Sequence, residues 1–348
     1  MKGQKPNNNP DFRILIVSNQ VAGTNGVVNP VLQRMTSSLS KDPRVTSANF
    51  APFSKGNPFG SMRLIARTAR SHDIIHVHFG GLYSLLVWFS VLAVRCPKII
   101  TFHGTDIHAK AIKSANSIAE KLKIRANQWA SFLCIMLYNR CGFVAEEMKS
   151  YVPRILKGHL RRKSFIHRLG VDYSIFTPLN PEASRRDLGI GNWKAILFSD
   201  ISNTRVKRRD IAEKIVEKMG EDYHLLVMSG VAANEVPKYI SACDMLLLTS
   251  DEEGSPNIIR ECLAMDKRVF SVDVGDAKRQ LAGLNNSMIV SRDPQEASTQ
   301  ILKSLETDYT DSTRERLRHT LDIDRINTGI VDMYMDLFCH SNNKKTQA

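Results

Sequence analysis

The chain has 348 residues, 43% of them hydrophobic and 24% charged, a globular composition too long for one ordinary core and therefore read as two domains. Its net charge of +13 implies an anionic partner: nucleic acid, an anionic membrane surface or a phosphorylated substrate. Neither zinc-finger spacing nor an aromatic-basic pattern supports nucleic acid, and the best apolar tract, Leu82 to Val94 broken by Ser84 and Ser90, is too short to span a bilayer.

The opening "MKGQKPNNNPD" has no apolar h-region, so a cytoplasmic location is expected. The first half then alternates short aliphatic runs with amphipathic segments. Strands are predicted at "RILIVS", "SANFAPF", "IIHVHF", "KIITFH", "GFVA" and "SFIHR", with helices near residues 30–39, 62–71, 82–95 and 113–138. Much of the positive charge lies here, in Lys110, Lys113, Lys121, Lys123 and Arg125, and again in Arg154, Lys157, Arg161, Arg162, Lys163 and Arg168. Those two segments suggest an anionic membrane surface, on its cytoplasmic face, or a lipid-diphosphate acceptor nearby.

The turn-rich "GVDYSIFTPLNPEASRRD" forms the joint. A second series of strands follows at "KAILFS", "HLLVMS", "MLLLTS", "RVFSVD" and "SMIVS", with helices near 211–219, 237–243, 256–265 and 294–306. A helical tail begins near Asp311. Two strand–helix series predict an α/β protein with two Rossmann-like domains facing across a cleft, residues 1–168 and 169–323, and a closing helix near 324–340 that packs back on the first. The six cysteines form no CxxC pair and are read as buried thiols.

The stretch "TSDEEGSPNIIRECLAM" sits where the third strand of the second series ends. Ser255 is a good N-cap and Pro256 suits a first helical turn, so the helix should offer free amides and a positive dipole end to an anion. Gly254 leaves the approach open. Acids beside an anion site suit a nucleotide-sugar, whose phosphates lie between two hydroxyl-bearing rings. Glu261 stands roughly 7–8 Å along the helix from Pro256, within reach of a ribose, while Glu253 on the loop would meet the sugar.

These residues form an E-x7-E motif, "EGSPNIIRE", and "EGSPNIIRECLAMDKRVFSVDVGDAKRQL" resembles the donor-binding segment of glycosyltransferase family 4, retaining enzymes of the GT-B fold. "SNQVAGTNGVVNPVLQRM", "IIHVHF", "KIITFHGTD", "HRLGVDYSIFTP" and "LDIDRINTGIVDMYMDL" resemble further blocks of that family in the same order. The resemblance implies that Glu253 contacts the transferred sugar, that the backbone of Gly254, Ser255, Pro256 and Asn257 holds sugar and phosphate, and that Glu261 binds the ribose. It implies an Arg and a Lys in the loop "FSDISNTRVKRRD" to neutralise the departing diphosphate. Ile201 or Ser202 stands at the Arg position; Lys207 is the first choice for the Lys, Arg205 the second and Arg208 the third. In the first domain it implies His103 near the sugar and Asp106 on the acceptor side, with Gly23 and Gly26 letting the first loop approach the acceptor or diphosphate, and Glu146 near the acceptor.

A cation and helix amides that stabilise the leaving phosphate leave no need for a metal or cofactor. Asp322-Ile-Asp324 is read as structural, and His76 and His78 as strand-end packing. The expected activity is retaining, hexosyltransferase-type transfer from a nucleotide-sugar, UDP-linked in the first instance and GDP-linked in the second. The acceptor is a saccharide or a polyprenyl-diphosphate-linked saccharide of lipopolysaccharide, capsule or exopolysaccharide assembly. Two alternatives stay open: a non-catalytic nucleotide-sugar-binding subunit, which the missing Arg supports, and a GT-B-like epimerase. A nicotinamide-dependent oxidoreductase is disfavoured because neither "VAGTNGVV" nor "LFSDISN" supplies G-x-G-x-x-G.

Overall fold

The computed structural model describes residues 11–19, 29–108, 117–200, 205–307 and 312–346. The chain forms two compact units: Met1–Val144, Ser150–Arg168 and Ile326–Ala348 make unit 1, and Ala145–Lys149 with Leu169–Arg325 make unit 2.

Unit 1 holds strands β1 (Phe12–Asn19), β2 (Val45–Phe53), β3 (Ile74–His78), β4 (Lys98–Phe102), β5 (Arg140–Phe143) and β6 (Ser164–Ile166), alternating with helices α1 (Pro30–Leu39), α2 (Pro58–Ala69), α3 (Leu82–Ser90), α4 (Ile118–Leu137) and α5 (Lys157–Lys163). The strands are parallel in the order β2-β1-β3-β4-β5-β6. β1 is covered on both faces from Ile14 to Val17, which is why "ILIV" is a continuous aliphatic run. Right-handed crossovers put α1 on one face of the sheet and α2, α3 and α4 on the other. The α2 helix begins a turn before the expected 62, because Asn57 Oδ1 accepts the Gly60 amide at 2.9 Å and Pro58 fits the first turn.

Unit 2 holds β7 (Lys194–Ser199), β8 (Tyr223–Met228), β9 (Met245–Leu248), β10 (Arg268–Ser271) and β11 (Met288–Ile289). Its helices are α6 (Pro181–Asp187), α7 (Arg209–Met219), α8 (Val236–Ala242), α9 (Asn257–Ala264), α10 (Ala277–Gln280), α11 (Pro294–Leu305) and α12 (Thr313–Leu321). The sheet is parallel in the order β11-β10-β9-β7-β8. Alternate residues of each strand feed opposite faces. Leu197, Leu246 and Leu248 join one core with Ile240, Ile259 and Leu263, while Phe198, Met245 and Leu247 join the other with Ile215 and Ile301. The strand–helix alternation of the sequence is thus realised as two doubly wound parallel sheets.

The joint is less irregular than its turn-rich composition suggests. Asn180 caps α6 by accepting the Ala183 amide at 2.7 Å, so a helix starts at Pro181. Val171 donates to the Leu321 carbonyl at 2.7 Å and accepts from the Ile323 amide at 3.0 Å. A Cβ at Gly170 would come within 2.4 Å of Ile323 Cα, so this backbone approach admits only glycine. Asp322 Oδ1 accepts the amides of Asp324 and Arg325 at 3.0 and 3.1 Å and starts the last helix, α13 (Ile323–Thr346). Within unit 1, Ile330, Val331 and Tyr334 of α13 pack with Leu32 and Met35 of α1 against Phe12, Ile14 and Ile16 of β1.

Among the cysteines, Cys134, Cys141, Cys243 and Cys262 are buried, Cys96 and Cys339 are half-buried, and all six are free thiols. Among the described residues, no helix is long and apolar enough to cross a membrane.

Candidate functional site

In unit 2 the chain leaves β7 for β8 on one side and returns to β9 on the other. The loops after β7 and β9 therefore diverge at a switch point, where open parallel sheets bind ligands beyond the strand ends. Three backbone-directed contacts tie the loops together there. Thr249 Oγ1 donates toward the carbonyls of Lys207 and Arg208 at 3.0 Å, and the Asp251 amide donates to the Val206 carbonyl at 2.8 Å. Arg292 adds a clamp, reaching Asp251 Oδ1 at 3.0 Å and the Ser250 carbonyl at 2.9 Å. Arg208, with φ of 53°, turns the chain into α7 and pairs with Asp210 at 2.9 Å and with Asp251 at 3.3 Å. That engagement separates Arg208 from the other two basic residues of the loop.

The result is a direct ion pair: Lys207 Nζ lies 2.6 Å from Glu253 Oε1, with both side chains mostly buried at 22% and 14% exposure. Arg205 shares the 3-10 turn Arg205–Lys207 and is exposed. Ile201 and Ser202 lie outside the described residues.

The start of α9 differs from the sequence expectation. The helix begins at Asn257, and Pro256 itself occupies the cap position with no side-chain hydrogen bond. Ser255 does not cap, because its hydroxyl is spent elsewhere: it donates to Asp276 Oδ2 at 2.9 Å and accepts from Arg260 Nη1 at 2.6 Å. The first-turn amides of α9 are thus left without a cap side chain, the condition under which a helix start favours an anion.

Arg260 is buried and reaches back along α9 to Ser255 and Asn257. Burial pulls its guanidinium below the ordinary arginine range, opposed by the charges of Asp276 and Glu261. Gln280 Nε2 donates to Asp276 Oδ1 at 2.7 Å and completes this support. Gly275, with φ of 56°, sits against the loop: a Cβ there would lie 2.7 Å from the Gly254 carbonyl and 3.0 Å from that of Glu253. Arg260, Gly275, Asp276 and Gln280 were not singled out from the sequence, although "VGDAKRQ" carries the signal of a glycine and a short polar residue before a helix. Glu261 is half-buried on α9, while Arg268 donates to the Ser304 and Thr307 carbonyls at 3.2 and 3.0 Å.

In unit 1 the strand ends are of another kind. Asp106 is buried, and its carboxylate accepts the amides of Gly80 at 2.7 Å, His103 at 3.0 Å and Gly104 at 2.8 Å. Burial raises its pKa, against the lowering effect of those amides. The side chain expected on the acceptor side therefore braces the loops after β3 and β4. His103 shares a 3.0 Å hydrogen bond with His78 and stacks on Phe79 with ring centroids 4.0 Å apart. Burial drives it down to about 3, keeping it neutral at physiological pH.

His76, His78 and His167 bring ring nitrogens within 4.8 Å of one another. His76, however, spends both nitrogens on Tyr334 and on Thr101, the latter at 2.8 Å, and Thr101 bonds His167 at 2.9 Å. The three therefore make a buried packing network. Glu146 pairs with Lys149 at 3.0 Å in a short segment, Ala145–Lys149, that belongs to unit 2. Gly23 and Gly26 lie outside the described residues.

No family model and no curated protein matches the sequence. Solved structures match it in fold. HepE from Anabaena, in complex with UDP-glucose, superposes with a TM-score of 0.70 at 16% identity, over 94% of this chain and 100% of its own. Sucrose-phosphate synthase from Thermosynechococcus elongatus gives 0.67 at 13% identity over 94% and 100%. The α,α-trehalose 6-phosphate synthase from Burkholderia multivorans gives 0.62 at 12% identity over 97% and 99%. At such identities the likeness establishes the fold, an α/β protein of the GT-B class with two Rossmann-like domains.

Proposed function

We propose that the chain is a glycosyltransferase that moves a sugar from a UDP-sugar to a saccharide, free or carried on a polyprenyl diphosphate, with retention at the anomeric carbon and without a metal. The observation that carries this reading is the Lys207–Glu253 pair, set beside the uncapped start of α9 at the β7/β9 switch point. The fold neighbour HepE, which holds UDP-glucose, supports the choice of donor class.

In this reading the diphosphate lies against the α9 amides and Lys207, with Arg205 at the rim. Glu253 accepts hydrogen bonds from the sugar, and Glu261 from the ribose. Gly254, Ser255, Pro256 and Asn257 present backbone to the donor, and the Arg260–Ser255–Asp276 network fixes that backbone. The bond from C1 to the β-phosphate oxygen breaks while the acceptor hydroxyl oxygen bonds C1 on the same face. The hydroxyl proton passes to the leaving phosphate oxygen. The cation and helix amides stabilise charge that grows on the phosphate, the arrangement in which preorganised donors count most. His103 takes the sugar side of unit 1 and Asp106 holds its loop, with Gly23, Gly26 and Glu146 on the acceptor side.

The same reading places the enzyme in bacterial surface polysaccharide assembly, peripheral on the cytoplasmic membrane face. A UDP-sugar panel against the purified chain tests it. A raised melting point with UDP and one UDP-sugar, followed by UDP release on adding acceptor, is the expected result. A chain that no nucleotide stabilises sinks the proposal. The alternative of a non-catalytic binding subunit draws on Ile201 or Ser202 standing at the Arg position of the family it resembles; binding without turnover over any acceptor would favour it.

A further inference from the structure

Apolar surface is unevenly shared between the units. Among the described residues, twelve of the fourteen exposed large hydrophobic side chains belong to unit 1. On α3 they are Leu82, Leu86 and Phe89, spaced four and three apart, so they form one stripe. On α4 the stripe is Ile118, Leu122, Trp129, Leu133 and Met136, again at helical spacing. The helices α2 and α3, α3 and α4, and α4 and α5 pack as neighbours, so the stripes share one layer over the sheet. Ile155, 88% exposed, stands on the turn Arg154–Leu156 against α4.

The charges on this layer are almost all of one sign. Helices α2, α3, α4 and α5 with the turn Arg154–Leu156 carry ten Lys and Arg residues and a single acid, Glu120. At the C-terminal end of α4, Met136, Gly158, His159, Arg161, Arg162 and Lys163 line a groove of about 460 Å³. Lys163 is fixed there by the Met136 and Tyr138 carbonyls at 2.8 and 2.9 Å, while Arg161 and Arg162 are exposed.

We propose that this outer helical layer of unit 1 docks on a bilayer of anionic phospholipid. The α3 and α4 stripes enter the acyl boundary, and Arg161 and Arg162 take headgroup phosphates at the groove. An interfacial surface needs both an apolar stripe and flanking cations, and both are present. A second copy of the chain fits poorly, because a two-fold contact would set ten cations against ten with one acid on each side to answer them. The inference deepens the proposed function by naming its membrane partner and rests on that reading only for the place of a lipid-linked acceptor.

The test is co-sedimentation of the full chain with phosphatidylglycerol–phosphatidylcholine vesicles and with phosphatidylcholine vesicles alone, with UDP binding measured on the same samples. Expected are binding at least about tenfold tighter to the anionic vesicles, and a loss of about tenfold or more in both I118D/L122D and R161E/R162E. Brominated lipid should quench tryptophan emission in the wild type and less in W129F. All the altered side chains are exposed, and unchanged UDP binding confirms folding. Three results overturn the proposal: no binding to either vesicle, binding without quenching that vanishes at about 0.5 M salt, or a vesicle-free dimer that I118D/L122D dissociates. Vesicle binding needs no donor, so lost docking with intact UDP binding counts against this inference alone. Lost UDP binding with intact docking counts against the proposed function alone.

Discussion

The two units wind their sheets alike. Taking each unit's strands by their order in the chain, both run second-first-third-fourth-fifth, with unit 1 adding a sixth. Both switch points therefore fall between the first and third strands. What stands at the strand ends differs. Unit 1 presents imidazoles that burial keeps neutral and a carboxylate committed to backbone amides. Unit 2 presents a lysine–glutamate pair, an uncapped helix start and a buried arginine behind them. The topology is shared, so it is the local chemistry that makes unit 2 the proposed seat of a charged diphosphate.

The largest effect expected from this contrast is in acid. In unit 1, burial lowers His167 to about 4 and His103 to about 3, and pushes His76 and His78 well below the ordinary 6.5. The unfolded chain takes protons near pH 6.5, while in the folded unit His167 refuses one until about pH 4 and His103 until about pH 3, and His76 and His78 also refuse theirs until well below 6.5. Stability is thus complete above the unfolded value and is lost as pH falls through that window. Each histidine contributes up to about 1.4 kcal/mol per pH unit. The only histidines of unit 2, His224 and His319, are exposed. Melting followed from pH 8 to about pH 4 should show unit 1 failing first; unit 2 failing first, or joint failure with no shift, would break the comparison.

Next comes the site pair. E253Q keeps the size of the side chain and removes its charge, so folding should survive while turnover falls by about 10²–10³-fold. K207A should cost a similar factor and also leave Glu253 mostly buried without its cation, a loss of about 1–3 kcal/mol in unfolding. Kinetics with a UDP-sugar and urea melts separate the two effects. If H103A cripples turnover while E253Q does not, the roles assigned to the units are reversed.

Much of this contrast was legible in the residues, but not evenly. The aliphatic runs marked nearly every strand because a parallel strand covered on both faces cannot hide its apolar content. The lysine preferred in the basic loop is the one that meets Glu253, and nothing local distinguished it from Arg208. That residue is drawn off by Asp210 and Asp251, one a short step away and the other forty-odd residues on. Ser255 and Pro256 read as cap and first turn on helix rules. The structure moves the cap by one residue because Asp276 and Arg260 claim the serine hydroxyl, a demand no local rule contains. Arg260 carried no signal of its place, since helical spacing alone cannot tell that a guanidinium folds back along its own helix under a neighbouring loop.

The smallest effect, and the most local, concerns Gly275. Its φ of 56° costs a non-glycine residue about 1 kcal/mol, and the new Cβ would press on the carbonyls of Gly254 and Glu253, backbone atoms that cannot rotate away. G275A should therefore destabilise unit 2 by about 1–3 kcal/mol and displace the loop that carries Glu253, weakening donor binding several-fold. Gly81 of unit 1 is the control. It too has a positive φ, of 103°, but the atoms nearest an added Cβ are all in the side chain of Asn127, which can turn aside at the loss of its 3.1 Å bond to the Leu82 amide. G81A should cost stability without touching donor affinity, read by urea melts and UDP titration side by side. If both glycines affect UDP binding equally, the donor is not held by the second unit alone, and the division of labour drawn from the two strand-end chemistries fails.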